Sequence, residues 1–440
     1  MTKRLLATYR IAASAADIEA RARALAAEQS VEMPVEAIRD ARVLAEVVAT
    51  VESIRPLTPG PSPKGEGSNA AFTPGPSPKG EGSNAAFTPG PSPDGRGEKR
   101  APSPLGEGRG EGAFEVTLGI SAETTGQETS QLVNMLFGNC SLQPEVELLD
   151  VSFPPGYVDA FPGPEFGIAG LRTMLGAPDR PLTCSALKPQ GSPVDHLVHL
   201  ARTFALAGID VVKDDHGLAD QASAPFAARV PAVQQAIAEA NRETGGKTLY
   251  APTLSGDPRM LAEQLEVARE CDLRMALVAP MLVGLPVFVE LRRESGLALL
   301  AHPAFGGASR IAPALLFGKL FRLFGADATI FPNHGGRFSY SRETCLAIAR
   351  AAREPWDGLA SILPVPAGGM SVERVPEMVA DYGRDTMLLI GGGLLSAGDA
   401  LLERSREFVR RVRECDPHPQ PLSQGRGEHI SPSPSGRGSR

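Results

Sequence analysis

The chain has 440 residues, 44 Lys and Arg against 51 Asp and Glu, and an apolar share of 42%, which suits one large domain with a smaller one beside it. A net charge of −7 with no long basic block argues against nucleic acid as a partner. No run approaches the roughly 18 uninterrupted apolar residues of a membrane span, so a membrane partner is not expected either.

At the N-terminus "LLATYRI" reads as a strand rather than a signal sequence. "AADIEARARALAAEQS" has helical spacing, and a second apolar-periodic stretch, "PVEAIRDARVLAEVVATVESI", has Pro34 where a helix start favours it. Residues 58–72, "TPGPSPKGEGSNAAF", are repeated letter for letter at 73–87, and a diverging third copy starts at Thr88. A fifteen-residue period raises the question of a solenoid, but the units carry almost no apolar side chains to stack. Pro, Gly and Ser at this density imply disorder, so residues 56–113 are expected to be a disordered insertion and 416–440 a disordered tail of the same flavour. The expected N-terminal α+β domain is therefore split into 1–55 and 114–155, the second part reading strand, helix, strand in "AFEVTLGI", "SQLVNMLFGN" and "VELLDVSFP".

From Leu182 onward short apolar runs alternate with helix-length amphipathic segments. The runs end in "LTCSALKP", "GIDVVKDD", "TLYAPTLSG", "RMALVAP", "LALLAHP", "DATIFPN", "ASILPVPAGG" and "TMLLIGGG". Eight such units over 156–415 predict the α/β class: a C-terminal (β/α)8 TIM barrel, catalytic by the chemistry at its strand ends, with the smaller α+β domain in front of it. An open doubly wound sheet is the alternative, but nothing resembles a dinucleotide fingerprint. Cys140, Cys184, Cys271, Cys345 and Cys415 have no metal-type spacing and suit free thiols in a reducing cytoplasm.

Chemistry in such barrels sits at the C-terminal strand ends. Those ends carry Lys188, Lys213, Asp214, Asp215, His216, Thr253, His302, Asn333 and two glycine clusters. Lys213 and Asp215 share a face of an extended strand while Asp214 points away. A carboxylate and an imidazole there suit a divalent cation, and a Lys–Asp salt bridge is the bland alternative. Gly368–Gly369 and Gly391–Gly393 close the last two strands, where a backbone free of side chains can approach a phosphate; plain turn glycines are the alternative. Gly335–Gly336 beside Arg337 reads as a loop that brings a cation to a bound anion.

The order of these motifs resembles the RuBisCO large-subunit family, and more closely its RuBisCO-like members that do not fix carbon dioxide. "LKPQG" matches the first-strand lysine motif, which gives Lys188 the family's catalytic proton-transfer role. "GIDVVKDDHGL" matches the metal motif: the resemblance implies Mg2+, with Mn2+ tolerated, held by Lys213 as a CO2-derived carbamate, by Asp215 and by His216. "FGN" and "AAEQSVEMP" put Asn139 and Glu28 at the family's substrate-side positions, Arg337 falls at its mobile-loop cation, and "PAGG" and "IGGG" put Gly368, Gly369, Gly391 and Gly392 at its phosphate cradle. His302 aligns with an active-site histidine, so Lys188, Lys213 and His302 are the implied catalytic residues.

Departures from the carboxylases are equally specific. His216 stands for a glutamate ligand, Gln190 for a second lysine, Arg337 for the loop lysine, Pro303 for an arginine and Ile330 for a histidine at the second phosphate. Carbon dioxide fixation is not expected. The implied activity is a metal-dependent, enediolate-forming lyase or isomerase acting on a phosphorylated ketose or 3-oxo sugar acid. A decarboxylase of the 3-oxo-isoapionate-4-phosphate type is preferred; the alternative is an isomerase or enolase of methylthioribulose phosphate or diketo-methylthiopentyl phosphate in methionine salvage. A metal-assisted hydrolase would want more histidines, and a degenerate sugar-phosphate-binding barrel would not need to retain these side chains. The resemblance also implies a cytoplasmic homodimer in which Glu28 and Asn139 complete the partner's site.

Overall fold

The computed structural model describes residues 3–57, 112–336, 338, 340–356 and 358–415; the repeat segment, the C-terminal tail and Arg337 lie outside the described residues. Four antiparallel strands open the chain: β1 (Arg4–Ala13), β2 (Thr50–Leu57), β3 (Gly112–Ser121) and β4 (Val146–Ser152), ordered β2-β3-β1-β4. Along β1 the period is two, with Leu5, Ala7, Tyr9, Ile11 and Ala13 buried under the helix Ile18–Glu28, which contributes Ile18, Ala22, Leu25 and Ala26. The stretch after Pro34 does not run as one helix. It makes two short turns, at Val35–Ala37 and Val43–Val47, and then becomes β2. The β-branched residues Thr50, Val51 and Ile54 favour a ladder, and β3 supplies one.

The barrel strands are β5 (Leu182–Leu187), β6 (Val211–Asp214), β7 (Leu249–Ala251), β8 (Thr253–Leu254), β9 (Met275–Val278), β10 (Ala298–Ala301), β11 (Ala328–Pro332), β12 (Leu363–Ala367) and β13 (Met387–Leu389). All neighbours are parallel and β13 pairs back onto β5. β7 and β8 are one predicted strand interrupted at Pro252, which has no N–H to give. β7 pairs with β6 and β8 with β9, and the Leu277 N–H donates to the Pro252 carbonyl at 2.8 Å, so the ring closes across the break. Burial on both faces explains why these strands read as apolar runs rather than alternating ones. The expected (β/α)8 architecture is therefore present.

The two sheets are stitched together at β4. The Leu148 N–H donates to Arg310 O at 2.9 Å and the Ala312 N–H to Leu148 O at 2.8 Å, while Lys319 meets Asp150 at 2.7 Å. The Arg310 guanidinium also donates to the carbonyls of Ser141, Gln143 and Val146, which holds the turn Asn139–Leu142 against the barrel. None of the five cysteines is paired, and no described helix is long and apolar enough to cross a membrane.

Candidate functional site

The ends of β5 and β6 bring the predicted lysines and carboxylates together, but in a different pairing from the expected one. Asp215 is 2% exposed and its partner is Lys188, whose ammonium rests on Oδ2, rather than Lys213. Oδ1 accepts from Gln190 Nε2 at 2.9 Å and from the Gly217 N–H at 3.1 Å, and His216 Nδ1 lies 3.3 Å away. The His216 ring stacks on His302, with centroids 4.3 Å apart and planes 8° off parallel. Lys213 is buried and donates to the Asp214 carbonyl at 2.9 Å.

Asp214 does point away, into a closed network. Its carboxylate accepts from Arg229 Nη2 at 3.1 Å, Tyr250 OH at 2.7 Å and the Thr253 N–H at 3.0 Å. Thr253 Oγ1 in turn donates to the Asp215 carbonyl at 3.0 Å. Arg229 is itself fully buried and also donates to the carbonyls of Ala224 and Ala219, so the loop after β6 hangs on the same charge pair. A buried carboxylate satisfied from three sides fixes the backbone on either side of Lys213 and Asp215.

Burial sets the protonation of this half. It pulls the Lys213 ammonium down to about 8, with the Lys188 charge acting in the same direction. It pulls His302 down to about 2, assisted by Lys213, His216 and Lys188, so His302 is neutral throughout the physiological range. The Ala304 N–H donates to His302 Nδ1 at 3.1 Å, which puts the imidazole proton on Nε2.

A divalent cation fits these residues. The Lys188 ammonium on Asp215 occupies the place of a cation, and a second donor, His216 Nδ1, faces the same carboxylate. Asp215 offers oxygen, which magnesium prefers, while the imidazole widens the site toward manganese.

The opposite side of the mouth is made of backbone. A Cβ on Gly368 or on Gly392 would meet nothing within 4 Å, and one on Gly391 would come no closer than 3.8 Å to Lys188 Cε. These three faces are open to an anion. Asn333, at the end of β11, does not face a ligand: it is buried, accepts from Tyr382 OH at 2.5 Å and donates to the sulfurs of Met370 and Met378. Behind the glycines lies Arg374, whose Nη1 donates to Gly369 O at 2.7 Å and His334 O at 3.3 Å. His334, Glu377 and Asp381 cluster closely enough to hold a cation, but Arg342 and Arg374 already pair with those carboxylates.

Glu28 and Asn139 are brought to each other. Asn139 Nδ2 donates to Glu28 Oε1 at 2.9 Å and to Glu32 Oε1 at 3.0 Å. Neither Glu28 nor Asn139 has a hydrogen bond to the barrel mouth of its own chain among the described residues. Ile330, by contrast, packs inside the barrel with Ala328, Leu363 and Val365. Sequence reasoning passed over Gln190 as a ligand of Asp215, the Asp214–Arg229–Tyr250 network, and Arg374. Gln190 was visible as a departure, whereas the Arg374–Glu377 spacing has the look of an ordinary solvent-facing helix pair.

Residues 167–400 match the family model of the ribulose bisphosphate carboxylase large chain, catalytic domain. Over 414 residues the chain is 50% identical to the 5-methylthioribulose-1-phosphate isomerase of Rhodospirillum rubrum, covering 94% of this chain and 97% of that one. It is 38% identical over 281 residues to the 2,3-diketo-5-methylthiopentyl-1-phosphate enolase of Geobacillus kaustophilus, covering 62% and 68%. The crystal structure of the Rubisco-like protein from Rhodopseudomonas palustris superposes with a TM-score of 0.77 at 43% identity, covering 94% of this chain and 98% of that one. The chain belongs to the RuBisCO large-chain family as a RuBisCO-like protein, and it is an enzyme of the isomerase or lyase type. These relatives favour the isomerase or enolase alternative over the decarboxylation expected from sequence.

Proposed function

We propose that this enzyme isomerises 5-methylthioribulose 1-phosphate, or a ketose phosphate of the same thioether class, through an enediolate. The observation that carries this reading is the 50% identity to the Rhodospirillum rubrum isomerase over nearly the whole of both chains. In it Lys213 as a carbamate, Asp215 and His216 hold the cation. Magnesium bound there would polarise the carbonyl and the neighbouring hydroxyl as a Lewis acid.

The chain's own residues do the rest. With a cation on Asp215, Lys188 would be released from that carboxylate. As the neutral amine, its ammonium proton lost to solvent, it would take the proton from the carbon beside the carbonyl and return it to the former carbonyl carbon, while the hydroxyl proton passes to the former carbonyl oxygen. Neutral His302 keeps its Nε2 proton and donates it as a hydrogen bond to the oxygen that gains charge. Gly368, Gly369, Gly391 and Gly392 hold the phosphate by their backbone. Glu28 and Asn139 complete the mouth of a second copy, so the working unit is a homodimer. An active monomer in sedimentation would remove that part of the reading.

The test is proton exchange into 5-methylthioribulose 1-phosphate in deuterated water with magnesium and bicarbonate, followed by NMR together with product formation. Wild type should exchange and isomerise, and Lys213→Met should do neither. No turnover of this substrate by wild type would sink the assignment. Turnover of 2,3-diketo-5-methylthiopentyl 1-phosphate instead would favour the enolase reading that the Geobacillus relative supports.

A further inference from the structure

Two loops meet behind the open glycine faces, and both are bare backbone where they touch. A Cβ on Gly369, which has φ +64°, would come within 2.5 Å of Gly336 Cα and 2.8 Å of Gly335 O. A Cβ on Gly336 would fall 3.0 Å from the Gly368 carbonyl carbon and 3.1 Å from Gly369 N. Only glycine on both sides allows this approach.

One side chain spans the contact. Arg374 gives Nη1 to a carbonyl of each loop, Gly369 O and His334 O, while Nε and Nη2 form a two-point pair with Glu377 at 2.9 Å each. The Glu377 pair sets the plane of the guanidinium and so aims Nη1 between the loops. A trans peptide is planar, so holding the Gly369 carbonyl also fixes the Met370 N–H on its opposite edge, and holding the His334 carbonyl fixes the Gly335 N–H. His334 is fastened a second time through Nε2 to Asp381 at 3.0 Å, and Asp381 is held by Arg342. The segment after β12 thus acts as a frame for the loop after β11, and Arg374 is the link that reaches the glycine turn itself. Its side chain is 22% exposed and sits outside the packed interior, which separates it from the residues that build the core.

We propose that Arg374 is a positioning residue for the phosphate end of the substrate: by tying His334 O to Gly369 O it holds the glycine turn in the shape that receives an oxyanion. This rests on the reading of Gly368–Gly369 as a phosphate cradle, and the test separates the two. Binding of inorganic phosphate to the full-length protein is measured by calorimetry, alongside kcat and KM for 5-methylthioribulose 1-phosphate. Arg374→Met should weaken phosphate about tenfold and raise KM by a similar factor, with kcat changed by less than about threefold. Arg374→Lys, which keeps the charge but can serve the two carbonyls only as a point donor, should recover part of the loss. Should Arg374→Met fail to fold, Gly336→Ala leaves Arg374 in place and wedges the same two loops apart, and it should weaken phosphate in the same direction.

If wild type binds phosphate and either soluble variant binds it equally well with unchanged KM, the positioning role is overturned, whatever happens to the melting temperature. If wild type binds no phosphate, the cradle itself falls and the role of Arg374 with it.

Discussion

At the ends of β5 and β6 the mouth of the barrel is built of side chains, and each is fixed by a buried charge behind it: Asp214 paired with Arg229 stands directly behind Lys213 and Asp215. At the ends of β11 to β13 the mouth is built of main chain, and what fixes it is a partly exposed arginine laid across two loops. The first arrangement is stiff because breaking it strands a charge in the interior. The second has little to strand, because its support lies toward solvent. A cation needs ligands at set positions, whereas an oxyanion needs amides that can come close. The two halves are made of the material each task requires.

The largest effect should come from the side-chain half. With 13C-labelled bicarbonate and magnesium, a carbamate signal is expected on wild type and none on Lys213→Met. Only the neutral amine takes up carbon dioxide, so at fixed dissolved CO2 the signal should grow as pH rises through about 8, where burial has brought Lys213. A signal that is flat from about pH 6.5 to about pH 9, or one that survives in Lys213→Met, would break the assignment of this lysine.

Next in size is the support behind it. Arg229→Met leaves Asp214 buried with only Tyr250 and Thr253, and the expected cost is about 3–5 kcal/mol in urea unfolding. Adding Asp214→Asn should return part of that stability, because the stranded charge is then gone. A loss under about 1 kcal/mol for Arg229→Met would mean that water reaches the pair, and the contrast with the glycine half would fade.

The barrel was legible because a parallel strand buried on both faces leaves a short apolar run, and all eight runs became strands. The break at Pro252 was not, since the third run reads as continuous until its missing N–H is set against β9. The stretch after Pro34 misled for a different reason. Its spacing suits a helix, but β3, which lies beyond the repeats, offers Thr50–Leu57 a ladder that local propensity cannot reveal. In the site, the residue types at the strand ends were readable and their pairing was not. Lys188 and Asp215 meet across neighbouring strands, and Asp214, which points away as expected, has its partner Arg229 fifteen residues further on, where the motif gives no sign of it. Arg374 left no mark beyond a surface-like spacing to Glu377.

A third region serves neither half, and the smallest effect belongs to it. β2 and β3 pair from Thr50↔Gly119 to Leu57↔Ala113, so the two chain ends that flank residues 58–111 are already opposite one another at the last rung. Beneath them β3 buries Val116, Leu118 and Ile120 against the core of the N-terminal sheet. We propose that 58–111 is a graft in a hairpin turn. Deleting 58–112 and joining Leu57 to Ala113 through Asn-Gly, a pair suited to a tight hairpin between antiparallel strands, should leave the ladder in register. Exchange activity should stay within about twofold of wild type, since the described sheet is joined to the barrel through β4 and Arg310. An inactive but folded deletion variant, with phosphate binding and the Lys213 carbamate intact, would show that the repeats contribute to the working mouth, for example by meeting the second copy. That outcome would end the division of the site into two halves, because a third part of the chain would then belong to it.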